Sequence, residues 1–153
     1  IHDAVSLCSA ELKHNDIKLT FQLENNLPSI YVDHIHIEQV IINLIRNSAD
    51  ALKNLPAKQQ RCLTIYSRLI LNNAINNAIQ VGVKDNGPGL DEEQQQKILT
   101  PFYTTKTDGM GMGLSISRSL IEAHEGTLRF NSKAGKGSTF YFSLPVERKS
   151  NEH

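Results

Sequence analysis

The sequence predicts an α/β (α+β) two-layer sandwich, in which a mixed β-sheet is covered on one face by three main helices. Apolar residues recur at helical spacing in three segments and at every second position in several others. The predicted order is helix, two strands, helix, hairpin, long loop, helix and hairpin, which is typical of helices layered on a sheet. The 153 residues fit one domain. We expect that domain at residues 1–145 and a disordered tail at 146–153.

The composition argues for local rather than global electrostatics. Sixteen basic residues balance sixteen acidic ones, so no overall field attracts nucleic acid or anionic lipid, and we expect neither as a partner. The chain has no apolar run of about 18 residues and no signal peptide. It opens without an initiator methionine, and we interpret it as a piece of a longer protein. Cys8 and Cys62 lack zinc-like spacing and are expected to be reduced thiols.

The first half of the chain alternates helical and extended patterns. Residues 1–15 have helical spacing, and residues 18–24 alternate as a strand. A turn then leads to a predicted short strand at 29–32. Asp33 is a good N-cap for a long helix over 34–53.

The second half predicts four strands and two helices. The predicted elements are a hairpin of 62–71 and 78–85, a short helix at 91–98, a long helix at 111–125, and strands at 127–131 and 138–144. The stretch 86–110 is irregular except for the short helix. Loops of that length are uncommon without a functional reason, so we predict a lid there.

The long helix 34–53 carries an unusual amide face. Asn43 and Asn47 are spaced i, i+4, so their side chains lie one turn apart on the same side. Asparagine is a poor helix former, which makes it an odd choice for a merely solvated face, although such a face is the simplest alternative. Amide oxygens suit Mg²⁺, and amide nitrogens donate to phosphate. The pattern therefore indicates a metal–phosphate site.

Two glycine-containing segments follow predicted structure at positions suited to a ligand. The segment DNGPG at 85–89 follows a predicted strand. There the Asp85 carboxylate can accept a hydrogen bond from an exocyclic amine, and the glycines let the backbone approach a flat ring closely. A plain turn is the alternative. DGMGMGL at 108–114 opens a helix, where bare amides form an anion site. Its spacing matches neither a Rossmann fingerprint nor a P-loop. Lys106 brings a positive charge to it, although a flexible hinge is the alternative.

A third segment, GKGST at 135–139, opens the last strand. By itself it is compatible with an ordinary hairpin turn. The Thr139 hydroxyl, near the end of the sheet, could donate to a ring nitrogen or hold a water molecule there.

Taken together, these motifs resemble the catalytic ATP-binding domain of sensor histidine kinases, within the superfamily that also contains gyrase and the MutL repair proteins. QVIINLIRNSADA at 39–51 resembles the N box and PFYTTK at 101–106 the F box. The glycine segments at 85–89, 109–114 and 135–139 resemble the three G boxes. The resemblance covers nearly the whole chain and implies the Bergerat-type ATP-binding fold. The residue sequences of the boxes are most similar to those of kinases of the nitrogen-regulation, oxygen-sensing and dicarboxylate-sensing kind.

The resemblance implies roles for individual residues. Asp85 would bind the adenine amine with Thr139 supporting the same edge, Asn47 would be the Mg²⁺ ligand, and Asn43 would contact the metal–phosphate region and act in catalysis. Phe102 would anchor the lid. Ala51, Gly87 and Gly89 would also contact the nucleotide. The backbone amides of Gly109, Gly111, Met112, Gly113 and Leu114 would bind the phosphates. Arg46 and Lys106 would offer positive charge to the phosphates, with Lys106 also acting in catalysis.

The resemblance also implies the reaction. Relatives that hydrolyse ATP usually carry a glutamate at the place of Asn43, and an amide cannot take a proton at neutral pH. The γ-phosphoryl group would therefore go to a histidine on the dimerisation domain of the same kinase, for relay to a response regulator in the cytoplasm. None of the six histidines has a phosphoacceptor context. A nucleotide sensor without transfer and a serine kinase of the anti-sigma-factor type are the alternatives.

Overall fold

The computed structural model describes residues 1–72, 77–100 and 113–146. The helices are α1 (His2–His14), α2 (His34–Leu52), α3 (Glu92–Lys97) and α4 (Gly113–Ala123). The strands are β1 (Ile17–Leu23), β2 (Arg61–Ile70), β3 (Ala78–Asp85), β4 (Thr127–Lys133) and β5 (Gly137–Pro145). No described helix combines the length and the apolar character needed to cross a bilayer.

The sheet is mixed, as predicted. Its five strands lie in the order β1-β2-β3-β5-β4. β1 runs parallel to β2, and the other neighbours are antiparallel. β3 is therefore the central strand, and its end at Asp85 lies between β2 and β5.

The helices α1, α2 and α4 cover one face of this sheet, which confirms the predicted two-layer arrangement. Alternate strand residues point into the helix layer, and the largest of them, Phe142, is fully buried with Leu63 and Ile65. From α2, Leu44 and Ile45 pack into the same core. The opposite face of the sheet carries no described element.

The helix α2 forms where its cap and its apolar stripe predict. The Asp33 carboxylate accepts from the backbone N–H groups of Ile35 and His36, which satisfies two donors that would otherwise be orphaned at the helix start. The N–H of Asp33 donates to Nε2 of His124 at 3.1 Å. This bond ties the start of α2 to the end of α4.

One predicted strand is absent. Residues 29–32 form neither strand nor helix, so the prediction there was wrong. Ile30 and Val32 alternate because they pack, partly buried, against the core. An alternating pattern reports which side chains are buried, but it does not require a neighbouring strand for pairing. The predicted tail lies outside the described residues from 147 onward.

Candidate nucleotide-binding site

The carboxyl group of Asp85 is the buried polar centre of the candidate site. Asp85 ends β3 and is only 4% exposed. Its Oδ1 accepts from the N–H of Gly87 at 2.9 Å and from the N–H of Ser138 at 3.3 Å. These bonds fix the orientation of the carboxyl group, and they leave its second oxygen directed elsewhere.

The second oxygen has no partner in the described part of the chain. Asp85 Oδ2 and the Ser48 hydroxyl of α2 are both buried without a hydrogen bond. Burial raises the pKa of Asp85, while the Gly87 amide, the nearby Ser48 hydroxyl and the Ser138 amide oppose that rise. The hydroxyl is thus close enough to act on the carboxyl group, although it makes no hydrogen bond of good geometry. Buried polar atoms are normally paired, so two adjacent orphans indicate a place for a ligand with a donor group.

The loop after Asp85 needs glycine at two positions. A Cβ on Gly87 would come within 2.9 Å of Asp85 Oδ1 and 3.6 Å of Ala51, so a side chain there would crowd both the anchor and α2. Gly89 has a φ of +71°, which side chains rarely adopt, and it lies against the Lys133 backbone. The glycines thus bring the loop against the end of α2 at Ala51.

The amide face of α2 lies beside α4. The Asn43 amide nitrogen donates to the Ser117 hydroxyl at 3.2 Å in a half-buried position, so at Asn43 this face is not simply solvated. This bond engages the nitrogen of the Asn43 side-chain amide, and the oxygen of the same amide lies on its other side. Asn47, one turn on, is also half-buried, and no hydrogen bond to the rest of the described chain engages its side chain.

Residues 32–148 match the sequence model of the family described as histidine kinase-, DNA gyrase B-, and HSP90-like ATPase. The chain belongs to this ATPase family. It is 38% identical over 144 residues to the C4-dicarboxylate transport sensor protein DctS of Rhodobacter capsulatus, covering 94% of this chain and 21% of DctS. Against the sensor protein FixL of Bradyrhizobium diazoefficiens, identity is 37%, with 95% of this chain and 28% of FixL covered. The chain therefore spans only a minor part of these relatives.

The solved structures point to the same ATPase domain. The catalytic domain of histidine kinase ThkA superposes with a TM-score of 0.78 at 31% identity, covering 94% of this chain and 88% of that one. Full-length ShkA in complex with AMPPNP matches at a TM-score of 0.78 and 22% identity, which speaks for the fold alone. The domain is therefore an ATP-binding domain of the sensor histidine kinase type, and the resemblance inferred from its boxes is confirmed.

Of the implied contact residues, Thr139 is not brought to Asp85, and Arg46, which was expected at the phosphate end, lies beside another helix. Arg46 is exposed, and its Nε lies 3.9 Å from Glu11 of α1. Arg46 follows Asn43 by three residues, so at about 100° per residue the two side chains lie only about 60° apart around α2. Thr139 pairs with Lys84 and faces the open side of the sheet, whereas Ser138 faces the helices with Asp85. The side chains of successive strand residues alternate, so only Ser138 can share the face of the anchor.

Several implied residues lie outside the described part of the chain. These are Phe102, Lys106, Gly109, Gly111 and Met112, together with residues 101–110 of the predicted lid. Gly113 begins α4, and a Cβ there would meet nothing within 4 Å. Leu114 is 9% exposed and packs in the core.

The sequence interpretation missed three residues of the site. Ser48 of α2 was not singled out by the sequence, and Ser138 was passed over for its neighbour Thr139. Asn86 holds the loop to β2: its Oδ1 accepts from the N–H of Cys62 at 2.7 Å, and its Nδ2 donates to the carbonyl of Gln60 at 2.8 Å. No local signal distinguishes Asn86 from an ordinary turn asparagine.

Proposed function

We propose that this domain binds Mg-ATP and donates the γ-phosphoryl group to a histidine on the dimerisation domain of its own kinase, for relay to a response regulator. The observation that carries the nucleotide part is the unpaired Oδ2 of Asp85, buried beside the equally unpaired Ser48 hydroxyl. Membership of the ATPase family supports ATP as the substrate. ATP is cytoplasmic, so the proposal includes a cytoplasmic location for the domain.

The chemistry of Asp85 selects adenine. A carboxylate can only accept hydrogen bonds, and the exocyclic amine of adenine donates them. Guanine would present a carbonyl oxygen to the same carboxylate, with two acceptors facing each other. A site built around a buried polar group rejects an analogue that leaves this group unpaired.

The amide face of α2 supports the phosphate end of the proposal. We assign Asn47 as the group that would hold Mg²⁺, because Mg²⁺ takes one or two protein oxygens together with phosphates and water. Bound there, the metal would neutralise charge on the transferred phosphoryl group. Asn43 cannot act as a general base, so water is poorly activated and the γ-phosphate is kept for a better nucleophile.

The acceptor and the onward partner are inferred from relatives. A kinase related at 26% identity, ThkA, has been solved in complex with the response regulator TrrA, at a TM-score of 0.76. Phosphoryl transfer depends mainly on positioning and electrostatic stabilisation. We therefore assign the histidine to a separate domain that brings its imidazole to the bound nucleotide.

A nucleotide panel tests the adenine anchor. Calorimetric titration should show tight binding of ATP, with losses of roughly 100-fold for GTP and for N6,N6-dimethyl-ATP, which lacks amine hydrogens. Removal of the γ-phosphate, as in ADP, should have a much smaller effect. Equal affinity for ATP and the dimethylated analogue would contradict a donor–acceptor contact at Asp85.

A reconstituted transfer assay tests the reaction. The domain is mixed with its dimerisation domain and labelled ATP, and the product should be acid-labile phosphohistidine. Asn47→Ala should abolish transfer and remove the effect of Mg²⁺ on ATP affinity, while a substitution of the exposed Lys58 should leave both unchanged. Acid-stable phosphoserine would indicate the serine-kinase alternative. Bound ATP without any transfer would indicate a nucleotide sensor.

A further inference from the structure

The face of the sheet that the helices leave uncovered is strongly basic. Its strand positions bear Lys18 on β1, Arg68 on β2, Lys84 on β3, and Arg129 and Lys133 on β4, and Lys136 adds a sixth cation from the β4–β5 turn. We call this surface the open face. No position of the described strands on this face carries a carboxylate, although the whole chain has equal numbers of acidic and basic residues; Glu24, directly after β1, is engaged by the N–H of Leu69 at 2.7 Å. The charge of the domain is therefore segregated.

The cations of the open face also lack acidic partners among the described residues. Elsewhere, several described cations have acidic partners: Lys97 lies 3.1 Å from Glu93, and Arg118 lies 3.0 Å from Glu122. Between described residues, none of the six cations of the open face forms an ion pair. Their mutual repulsion is uncompensated within this part of the domain, and an acidic partner would relieve it.

The centre of the open face is a pre-ordered tyrosine–arginine cluster. Tyr66, Gly82 and Tyr141 are cross-strand neighbours on β2, β3 and β5, and the Tyr66 ring lies over Gly82 where a Cβ would stand. The Arg68 guanidinium lies 5.7 Å from the centroid of the Tyr66 ring. The two tyrosines are close enough that Tyr141 adds to the rise that burial causes in the pKa of Tyr66, against the lowering effect of Arg68.

Arg68 is held in place while its outer nitrogens are available. Its Nε donates to Oε1 of Gln80 at 2.8 Å, and Gln80 is only 9% exposed. Within the described chain, the two terminal nitrogens of Arg68 make no hydrogen bond. A guanidinium fixed in this way can receive a carboxylate without losing much side-chain entropy.

A pocket at one end of the open face adds a second contact point. It has a volume of about 270 Å³, and Lys84, Lys133 and Lys136 line it together with Thr139. Asp85 and Ser138 also line this pocket, and the Asp85 carboxyl group accepts hydrogen bonds from the N–H groups of Gly87 and Ser138. The pocket thus offers three ammonium groups to an acidic side chain.

We propose that the open face is a docking surface for an acidic protein segment, which places carboxylates against Arg68 and Arg129 and into the lysine pocket. Tyrosine and arginine are the residue types that contribute most at protein interfaces. Nucleic acid fits less well, because binding of single strands relies on bases stacking on exposed rings. Here the Tyr66 ring packs on Gly82, and the Arg68 guanidinium lies 5.7 Å from the centroid of the same ring. The strand positions of this surface lie on the side of the sheet opposite the Asp85 carboxyl group, although Asp85 and Ser138 also line the lysine pocket, and the proposal does not depend on phosphoryl transfer.

The test uses a fluorescent polyglutamate peptide as the probe, with anisotropy as the readout at physiological ionic strength. Two matched variants carry the same change in net charge: R129E/K133E on the open face, and K13E/K58E away from its strands. We expect R129E/K133E to weaken peptide binding at least ~10-fold and K13E/K58E to leave it nearly unchanged. If R129E/K133E folds poorly by circular dichroism, R129Q/K133Q replaces it and should show a smaller loss in the same direction.

Mapping and competition decide among the remaining outcomes. Amide chemical shift changes caused by the peptide should centre on β2, β5 and β4 and persist with saturating ADP. Loss of peptide binding on ADP addition would place the peptide in the nucleotide site and overturn the proposal. Equal losses in the two charge-reversal variants would reduce the effect to net charge, and tighter binding of an oligothymidylate of equal charge would favour nucleic acid. Either result would also overturn it.

Discussion

Asp85→Asn should separate the stability of the domain from its affinity for ATP. The substitution keeps the shape of the side chain and removes the charge. The asparagine Oδ1 can still accept from Gly87 and Ser138, as the carboxylate does. Its Nδ2 would then take the place of the unpaired Oδ2 and could donate to the unpaired Ser48 hydroxyl. The substitution should therefore stabilise the nucleotide-free domain while it weakens the binding of ATP.

The two expected magnitudes follow from the same hydrogen bonds. An unsatisfied buried acceptor costs roughly 1–3 kcal/mol, so relief of that cost should raise Tm by at least ~2 °C for a domain of this size. For ATP, a charge-assisted bond of about 1.5–3 kcal/mol is lost, and two facing donors leave a further penalty of similar size. The sum of about 3 to 6 kcal/mol corresponds to a fall in affinity of roughly 10²- to 10⁴-fold.

Scanning calorimetry of the nucleotide-free proteins and titration calorimetry with ATP measure the two effects. Asp16→Asn is the matched control, because Asp16 is exposed and its positive φ of 54° suits asparagine. It should change neither Tm nor affinity appreciably. Asp85→Asn protein that binds ATP like the wild type, or that unfolds at a lower temperature, would refute the reasoning.

The same substitution should alter the pH dependence of stability. The pKa of Asp85 is raised in the folded state by burial, so the folded chain holds this proton more tightly than the unfolded chain does. The contribution of the group to stability is therefore fully present below the unfolded pKa of about 3.9 and is lost as pH rises through the raised folded pKa. Denaturant titrations at several pH values should show this loss in the wild type and not in Asp85→Asn.

Two further predictions concern the helix α2. In a urea titration, Leu44→Ala should lower the free energy of unfolding by about 2–5 kcal/mol, because Leu44 is fully buried. Leu71 is 72% exposed, so Leu71→Ala should change the free energy of unfolding by no more than ~0.5 kcal/mol. Asn43→Glu should introduce a general base and raise acceptor-free ATP hydrolysis at least ~10-fold in a phosphate-release assay, with Asn43→Gln showing no gain; hydrolysis unchanged by the glutamate would argue against this place for the base.

The fold was largely predictable because most of its signals are local. The cap at Asp33 and the stripe after it predict a helix over 34–53, and α2 is found at His34–Leu52. The strand alternation before Asp85 predicts β3 in the same way. The prediction failed at residues 29–32, where alternation arises from packing against the core without a pairing partner.

The site was predictable only in part, for a related reason. Asp85 and the glycines belong to contiguous motifs, so the sequence indicates them directly. Ser48 belongs to α2, and Ser138 belongs to a strand whose side chains alternate, so a choice between Ser138 and Thr139 requires the register against β3. Arg46 shows the same limit, since its partner Glu11 comes from a separate helix.

The sequence by itself determined the family, the class of ligand and the order of the elements, because boxes, caps and periodicities involve neighbours along the chain. Only the tertiary structure decided which groups meet. It brought Ser48 and Ser138 to Asp85 and left one carboxylate oxygen unpaired. It also gathered cations from four strands onto one face of a domain with no net charge. Strand register and helix packing determine which side chains come into contact, and both depend on the whole chain rather than on any one segment.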